Sequence, residues 1–345
     1  MGDQNLRTST MNSFSQSATS SNHSRLDLGA ENAALFFSVQ IDCESTQRSL
    51  QDAKLGEAAI RGLGEVFYET STKGTFLVIP GDVEAHGPIY QELERMGHEI
   101  GLHVHPSELG YNEFFGTESG ETQRKILTES IDRFAQVMGR NPRSFCPGYF
   151  SANDFTFGVL EELGFTHGAV SCPTRNLPQC ACVWGGSPLD PHYPHRYNKS
   201  LVGNVDFVDL PVIVDPESRM WSGGHPQDLR VELVDAKNHW YTIEKSVSRQ
   251  LAQSTALTQV HAVTHNVFDY SDIKNFRRET YVGIVNATRQ IAEKNHLCFQ
   301  AATLEEVALA YRRAVPFEKV SPVSLKLDTR GRNVNRSQVG LSQSV

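Results

Sequence analysis

Polar residues crowd positions 1–30, and at Ala33 the character of the chain changes abruptly to A-A-L-F-F-S-V-Q-I, an unbroken apolar run with few polar members. Such a run predicts a strand buried on both faces, and it ends in Asp42-Cys43-Glu44. Leu55, Ala58, Ile60, Leu63, Val66 and Phe67 then recur at helical spacing, predicting a helix over residues 53–70 that Gly74 punctuates. G-T-F-L-V-I-P predicts a second strand, and the following helix is expected to open on Asp82 as N-cap and close at Gly97. Ile100, Leu102 and Val104 mark a third strand, stopped by Pro106, which has no N–H to give a ladder. This β-α-β-α-β order predicts parallel neighbours joined by right-handed crossovers.

The pattern continues as a helix over 121–138, a strand near 143–145, and the helix F-T-F-G-V-L-E-E-L-G, capped by Asn153 or Asp154 and closed by Gly164. A strand over 165–171 precedes residues 172–205, a long aperiodic stretch rich in Pro, Gly, His and Tyr, of the kind that serves as a functional loop. V-D-F-V-D-L-P-V-I-V reads as a strand with a proline break. Beyond it come a helix over 240–253, the strand L-T-Q-V-H-A-V-T-H-N, a helix over 272–294, a strand over 297–302 and a last helix behind Thr303. Thr303-Leu-Glu-Glu306 has capping-box spacing if the helix begins there. Without an internal repeat or a linker, the expectation is one α/β domain over residues 31–318. A disordered segment over 1–30 and a polar tail over 319–345 are expected to flank it.

The formal charge of −8 on 345 residues is spread without long runs of one sign, so nothing global calls for nucleic acid or an anionic membrane as partner. No segment is apolar enough to span a membrane. The opening Met1-Gly2 is not followed by the Ser or Thr that a myristoylation signal needs, since residue 6 is Leu, and no secretory apolar core follows either. Six scattered cysteines show no framework spacing, and Cys180-x-Cys182 lacks the second pair of a zinc cluster. Free thiols and the lack of an export signal lead us to expect a cytoplasmic protein.

Chemistry concentrates in G-H-E-I-G-L-H-V-H-P. His103 and His105 stand at i and i+2, hence on one side of their strand, where both imidazoles can reach one ion. Asp42 and Glu44 are spaced the same way at the end of the first strand. Consecutive parallel strands put their carboxyl ends on one rim, so these four side chains are expected to meet there. His265, followed by Asn266, ends a later strand on the same logic.

Strand-end acids, then G-H-E-I-G-x-H-x-H-P, then a Pro-Gly-Tyr loop, then a late strand-end histidine: over residues 33–312 this order resembles the polysaccharide deacetylases of carbohydrate esterase family 4. The resemblance implies a distorted (β/α) barrel with one divalent metal bound by an acid and two histidines. It further implies a second acid as general base and a late histidine as general acid. Carried over by position, it makes Asp42 the base, Glu44, His103 and His105 the metal ligands, and His265 the acid. The roles of Asp42 and Glu44 remain exchangeable, because Cys43 stands where the family usually has its metal-binding Asp. The ion is expected to be zinc, with cobalt, nickel or iron as alternatives. Pro147, Gly148 and Tyr149 form the loop that in the family offers a backbone donor to the substrate's oxyanion. Two departures are plain. The family's histidines are more often four residues apart, and Cys146 stands where the family carries the Arg that orients its base, with Arg143 out of register to replace it.

The activity implied is metal-dependent hydrolysis of a C–N bond, deacetylating an N-acetyl sugar in a glycan, glycolipid or sugar precursor. Another C–N hydrolase on the same scaffold, allantoinase-like, is one alternative; a catalytically impaired carbohydrate-binding protein is another. Expected partners are a small-molecule or glycan substrate, and further copies of the chain in a homo-oligomer.

Overall fold

The computed structural model describes residues 33–220 and 223–320. Eight strands form the main sheet: β1 (Ala34–Cys43), β2 (Thr75–Val78), β3 (Glu99–Val104), β4 (Ser144–Pro147), β5 (His167–Gly168), β6 (Val208–Asp209), β7 (Thr258–His265) and β8 (Cys298–Ala301). Seven helices are described around it: α1 (Ala53–Thr70), α2 (Pro80–Arg95), α3 (Gly120–Met138), α4 (Thr156–Glu162), α5 (Ala236–Ala252), α6 (Phe276–Lys294) and α7 (Leu304–Ala314). β1 is buried along its length after Ala34 because it has neighbours on both edges. β7 runs along one edge, while β2 and β8 share the other, β2 beside its carboxyl half and β8 beside its amino half. From β2 the sheet continues in order through β3, β4, β5 and β6, all parallel. The β-α-β-α-β order read from the apolar pattern is therefore the order of the sheet.

The sheet curls until its ends meet. Ile213 N donates to His261 O at 3.1 Å, Leu229 N to Ile213 O at 2.9 Å, and Val231 N to Val263 O at 2.9 Å. These irregular segments close the gap between β6 and β7, giving a distorted (β/α) barrel. Direct evidence for an enclosed interior comes from Gln40, whose Nε2 lies 3.4 Å from Cys146 Sγ. β1 and β4 are separated by two strands, so this contact crosses the inside of the barrel. Alternation along β1 then puts Ser38, Gln40 and Asp42 inside, and Val39, Ile41 and Cys43 against the helices.

Several predicted elements shift. Asp82 does not cap α2: the helix starts at Pro80, where a proline at the first position loses nothing, and Asp82 lies within its first turn, fully buried. The strand expected over 165–171 pairs only at His167 and Gly168, and that over 205–214 only at Val208 and Asp209. Pro211 cannot extend the ladder, and beyond it the chain crosses toward β7. The fifth helix begins at Ala236, earlier than periodicity indicates, because Asp235 caps it. The Thr303–Glu306 capping box is formed. Residues 172–205 contain two small hairpins, Asn176–Leu177 with Cys182–Val183 and Pro194–His195 with Asn198–Val202. The flanking segments predicted over 1–30 and, from residue 321 on, at the carboxyl end lie outside the described residues. No helix among the described residues is long and apolar enough to cross a membrane.

Candidate active site

Parallel register delivers the site. Asp42 is the direct neighbour of His265 across β1 and β7, and His103 faces Cys146 across β3 and β4. Glu44 stands just past β1, and its backbone N–H is held by Asn266 Oδ1 at 2.7 Å. Asn266 in turn gives its amide to Asp82 Oδ2 at 2.6 Å, and Asp82 also accepts from Thr46 N at 2.7 Å and from Ser45. A buried carboxylate on α2 thus pins the turn that aims Glu44.

Glu44 Oε2 lies 2.8 Å from His105 Nε2 and 3.6 Å from His103 Nε2. One ligand atom from each of Glu44, His103 and His105 falls within 4.8 Å of the others. His105 gives Nδ1 to Glu113 Oε1 at 2.9 Å, a carboxylate contact of the kind that orients a metal-binding imidazole. Burial works against charge on His105, but Glu113 and Glu44 outweigh it and raise its pKa to about 10. Burial likewise opposes charge on Glu44, yet the hydrogen bonds of His103 and His105 hold it well below the usual carboxylate range. Asp42, His103 and Cys146 form a second group of the same compactness. Burial pushes the Cys146 thiol well above its ordinary value, whereas a metal ligand must be thiolate. The Glu44 group is the better fit to an ion, since both imidazoles turn Nε2 toward the Glu44 carboxylate.

Asp42 Oδ1 accepts from Gln40 Nε2 at 2.8 Å, and its Oδ2 lies 3.9 Å from His265 Nε2. His265 is bonded through Nδ1 to Glu232, and its Nε2 is 4.0 Å from Glu44 Oε1. Burial lowers the pKa of His265, but Glu232 and Glu44 prevail and raise it to about 9. Arg230 Nη1 also approaches His265 Nε2 at 3.2 Å, which as a hydrogen bond requires the neutral ring. Three carboxylates surround the imidazole, Glu232 at Nδ1 and Asp42 and Glu44 at 3.9 and 4.0 Å from Nε2, and all three favour its protonated form.

The Pro-Gly-Tyr loop divides. Tyr149 borders the cleft, its ring 5.4 Å from that of His105. Pro147 pairs with Val104 inside the sheet. Gly148 lies against the His105 ring, where an added Cβ would come within 2.6 Å of it, so only glycine leaves the imidazole its place. Arg143 points away, paired with Glu305 at 3.0 Å.

The cleft over these groups has a volume of about 380 Å³ and is also bordered by Arg175, Arg230 and Glu232. These three, together with Glu113 and Asp82, escaped sequence reasoning. Arg230 and Glu232 share the i, i+2 spacing of the other site pairs, but their segment joins β7 only through a bridge to Val263 and carries no strand pattern. A larger hollow of about 530 Å³ between α1 and α2 contains no histidine.

Residues 57–168 match the family model described as polysaccharide deacetylase. That segment holds His103, His105 and Tyr149, while Asp42, Glu44, Glu232 and His265 lie outside it. No curated protein matches the sequence. Among solved structures, one assigned as a polysaccharide deacetylase from Mycobacterium smegmatis superposes with a TM-score of 0.55 at 17% identity, covering 87% of this chain and 96% of that one. Puue allantoinase superposes with a TM-score of 0.58 at 12% identity, covering 86% and 96%. A protein assigned as a polysaccharide deacetylase from Pseudomonas aeruginosa PAO1 gives 0.56 at 13% identity, covering 82% and 93%. At such identities these structures share the fold of this chain, and the match to the polysaccharide deacetylase model covers about the third of it that carries His103, His105 and Tyr149.

Proposed function

We propose that this protein is a metal-dependent amidase that removes the acetyl group from an N-acetyl sugar. The observation that carries the reading is the convergence of Glu44, His103 and His105 on one point of the rim, with Asp42 and His265 beside them. One carboxylate and two imidazoles leave coordination positions open, the donor set of a hydrolytic zinc site. A divalent ion held there supplies Lewis acidity toward the acyl oxygen and toward a water.

The chain's own groups do the rest. Gln40 occupies Asp42 Oδ1, so Oδ2, on the side of His265, is the atom free to take the proton of the attacking water. The water oxygen bonds to the acyl carbon as the C–N bond breaks. His265, anchored by Glu232, delivers the Nε2 proton to the departing nitrogen. Acetate and a free amine result, and the two groups reset by exchanging their protons with solvent. Tyr149 borders the cleft, and its backbone N–H is the group assigned here to donate to the acyl oxygen.

The test is elemental analysis joined to an acetate-release assay. One divalent metal per chain is expected, chelation should abolish release, and zinc or cobalt should restore it. The double variant His103→Ala/His105→Ala should lose the metal. Retention of full metal content by that variant would overturn the site. Sugar binding that survives chelation, with no acetate released by the metal-loaded protein, would make this a carbohydrate-binding protein instead.

A further inference from the structure

Among the described residues, the cleft contains one arginine without a carboxylate counter-ion. Arg175 is 92% buried, with a relative exposure of 8%, and borders the cleft. No carboxylate lies within ion-pair distance of it among the described residues. Its Nε is buried without a hydrogen-bond partner, and the guanidinium's one hydrogen bond is a long one, from Nη1 to Tyr149 O at 3.5 Å. The other well-buried arginines are paired: Arg278 grips Glu69 through two bonds of 2.8 Å, and Arg230 faces Asp228 and Glu232. An unpaired buried guanidinium is costly, and its contact over the Phe150 ring at 5.6 Å compensates only in part.

The backbone around Arg175 is pinned. Its N–H donates to Cys172 O at 3.1 Å and its carbonyl accepts from Trp184 N at 2.8 Å. Trp184, fully buried, gives its indole N–H to Phe150 O at 2.8 Å, which ties this hairpin to the turn carrying Tyr149. The main chain that carries the guanidinium is thus fixed beside the Tyr149 carbonyl at the cleft wall. A planar fork of donors, desolvated and preorganised, matches an oxyanion.

We propose that the substrate carries an oxyanion, carboxylate or phosphate, and that Arg175 binds it while the acyl group lies at Glu44, His103 and His105. This rests on the cleft being the reaction site proposed above. It narrows the substrate to acidic N-acetyl sugars or their phosphates, and a neutral glycan chain becomes a poor one.

The experiment compares N-acetylglucosamine, N-acetylglucosamine 6-phosphate and N-acetylmuramic acid on the full-length, metal-loaded protein. Acetate release gives kcat/KM and calorimetry gives Kd independently of turnover. At least one anionic ligand should be preferred over the neutral sugar by roughly ten- to a hundred-fold, the range for hydrogen bonds to a charged group. Which of the two is preferred identifies phosphate or carboxylate. Arg175→Gln should remove most of that preference, and Arg175→Lys, which keeps charge without the fork, should retain part of it. An equal response to all three ligands by the wild type overturns the proposal, as does a preference that survives in Arg175→Gln. So does a uniform loss on all three, which would make Arg175 a clamp for the 148–150 turn. Should Arg175→Gln fail to fold, the wild-type preference and Arg175→Lys decide. If no ligand releases acetate but the anionic one binds more tightly through Arg175, the proposed reaction falls and the anion site stands. If acetate is released with no preference for the anion, the reaction stands and the anion site falls.

Discussion

Asp42 and Glu44 are two positions apart, yet their surroundings differ, and the proposed mechanism gives them different work. Glu44 is engaged by both histidines, Asp42 by Gln40 and the edge of His265. Asp42→Asn is therefore expected to abolish turnover with metal retained, and Glu44→Gln to lower metal content; elemental analysis beside the acetate assay distinguishes them. The reverse pattern would exchange the two roles. For His265, replacement by Ala should lower kcat by about 10² to 10⁴ with metal retained. That loss should shrink on an aryl acetate, whose phenolate leaves without a proton. Glu232 adds a pH signature. It favours the protonated imidazole, whose pKa stands at about 9, so activity that needs the acid falls as pH rises through that pKa. Removing the carboxylate in Glu232→Gln should move the alkaline limb of the pH–rate profile toward lower pH, by about 1–3 units. An unmoved limb would mean that another group is the acid.

At the scale of elements, the rim depends on a turn and on a close approach. The β1–α1 turn is held from α2 by Asp82, which accepts from Ser45, Thr46 and Asn266. Asp82→Ala strands these donors in a buried place and is expected to destabilise the fold by about 1–3 kcal/mol, measured by denaturant unfolding. Because the same network aims Glu44, metal affinity should fall with it; unchanged affinity would show that Glu44 is aimed by Asn266 alone. Just past the paired ends of β3 and β4, Gly148 leaves room for the His105 ring. Gly148→Ala should displace that imidazole and weaken metal binding.

Across the whole molecule, the end of the barrel opposite the candidate site carries its own buried carboxylate–imidazole contact. Glu99, at the start of β3, contacts His167 of β5 at 2.7 Å and accepts from Glu305 N at the head of α7 at 2.8 Å. Burial works against its charge, but His167 and these hydrogen bonds outweigh it and hold its pKa at about 2, against 4.5 ordinarily. A depressed carboxylate contributes stability that is complete above the unfolded value and is lost as pH falls from about 4.5 toward 2. The size is on the order of 3 kcal/mol. Glu99→Gln should flatten the stability curve across that interval, as unfolding free energies at a series of pH values would reveal. Equal acid sensitivity in both proteins would place the loss at other carboxylates.

The chain by itself determined the order of strands and helices through α3, because each apolar run there matches the period of its element. It also determined the rim bearing Asp42, Glu44, His103, His105 and His265, since strand parity and parallel pairing are local consequences of sequence. What happens between Phe165 and the start of α5 only the tertiary structure decided. There the ladders shorten to two residues, proline interrupts, and hairpins held by long-range bonds replace periodic elements. Arg175, Arg230 and Glu232 come from that region, and Glu113 from the loop after β3. Asp82 was visible as a residue but misread, since a helix cap and a buried clamp look alike until Pro80 is seen to start the helix. Their positions relative to the rim depend on how the barrel closes, a property of contacts far apart in sequence that no local pattern encodes.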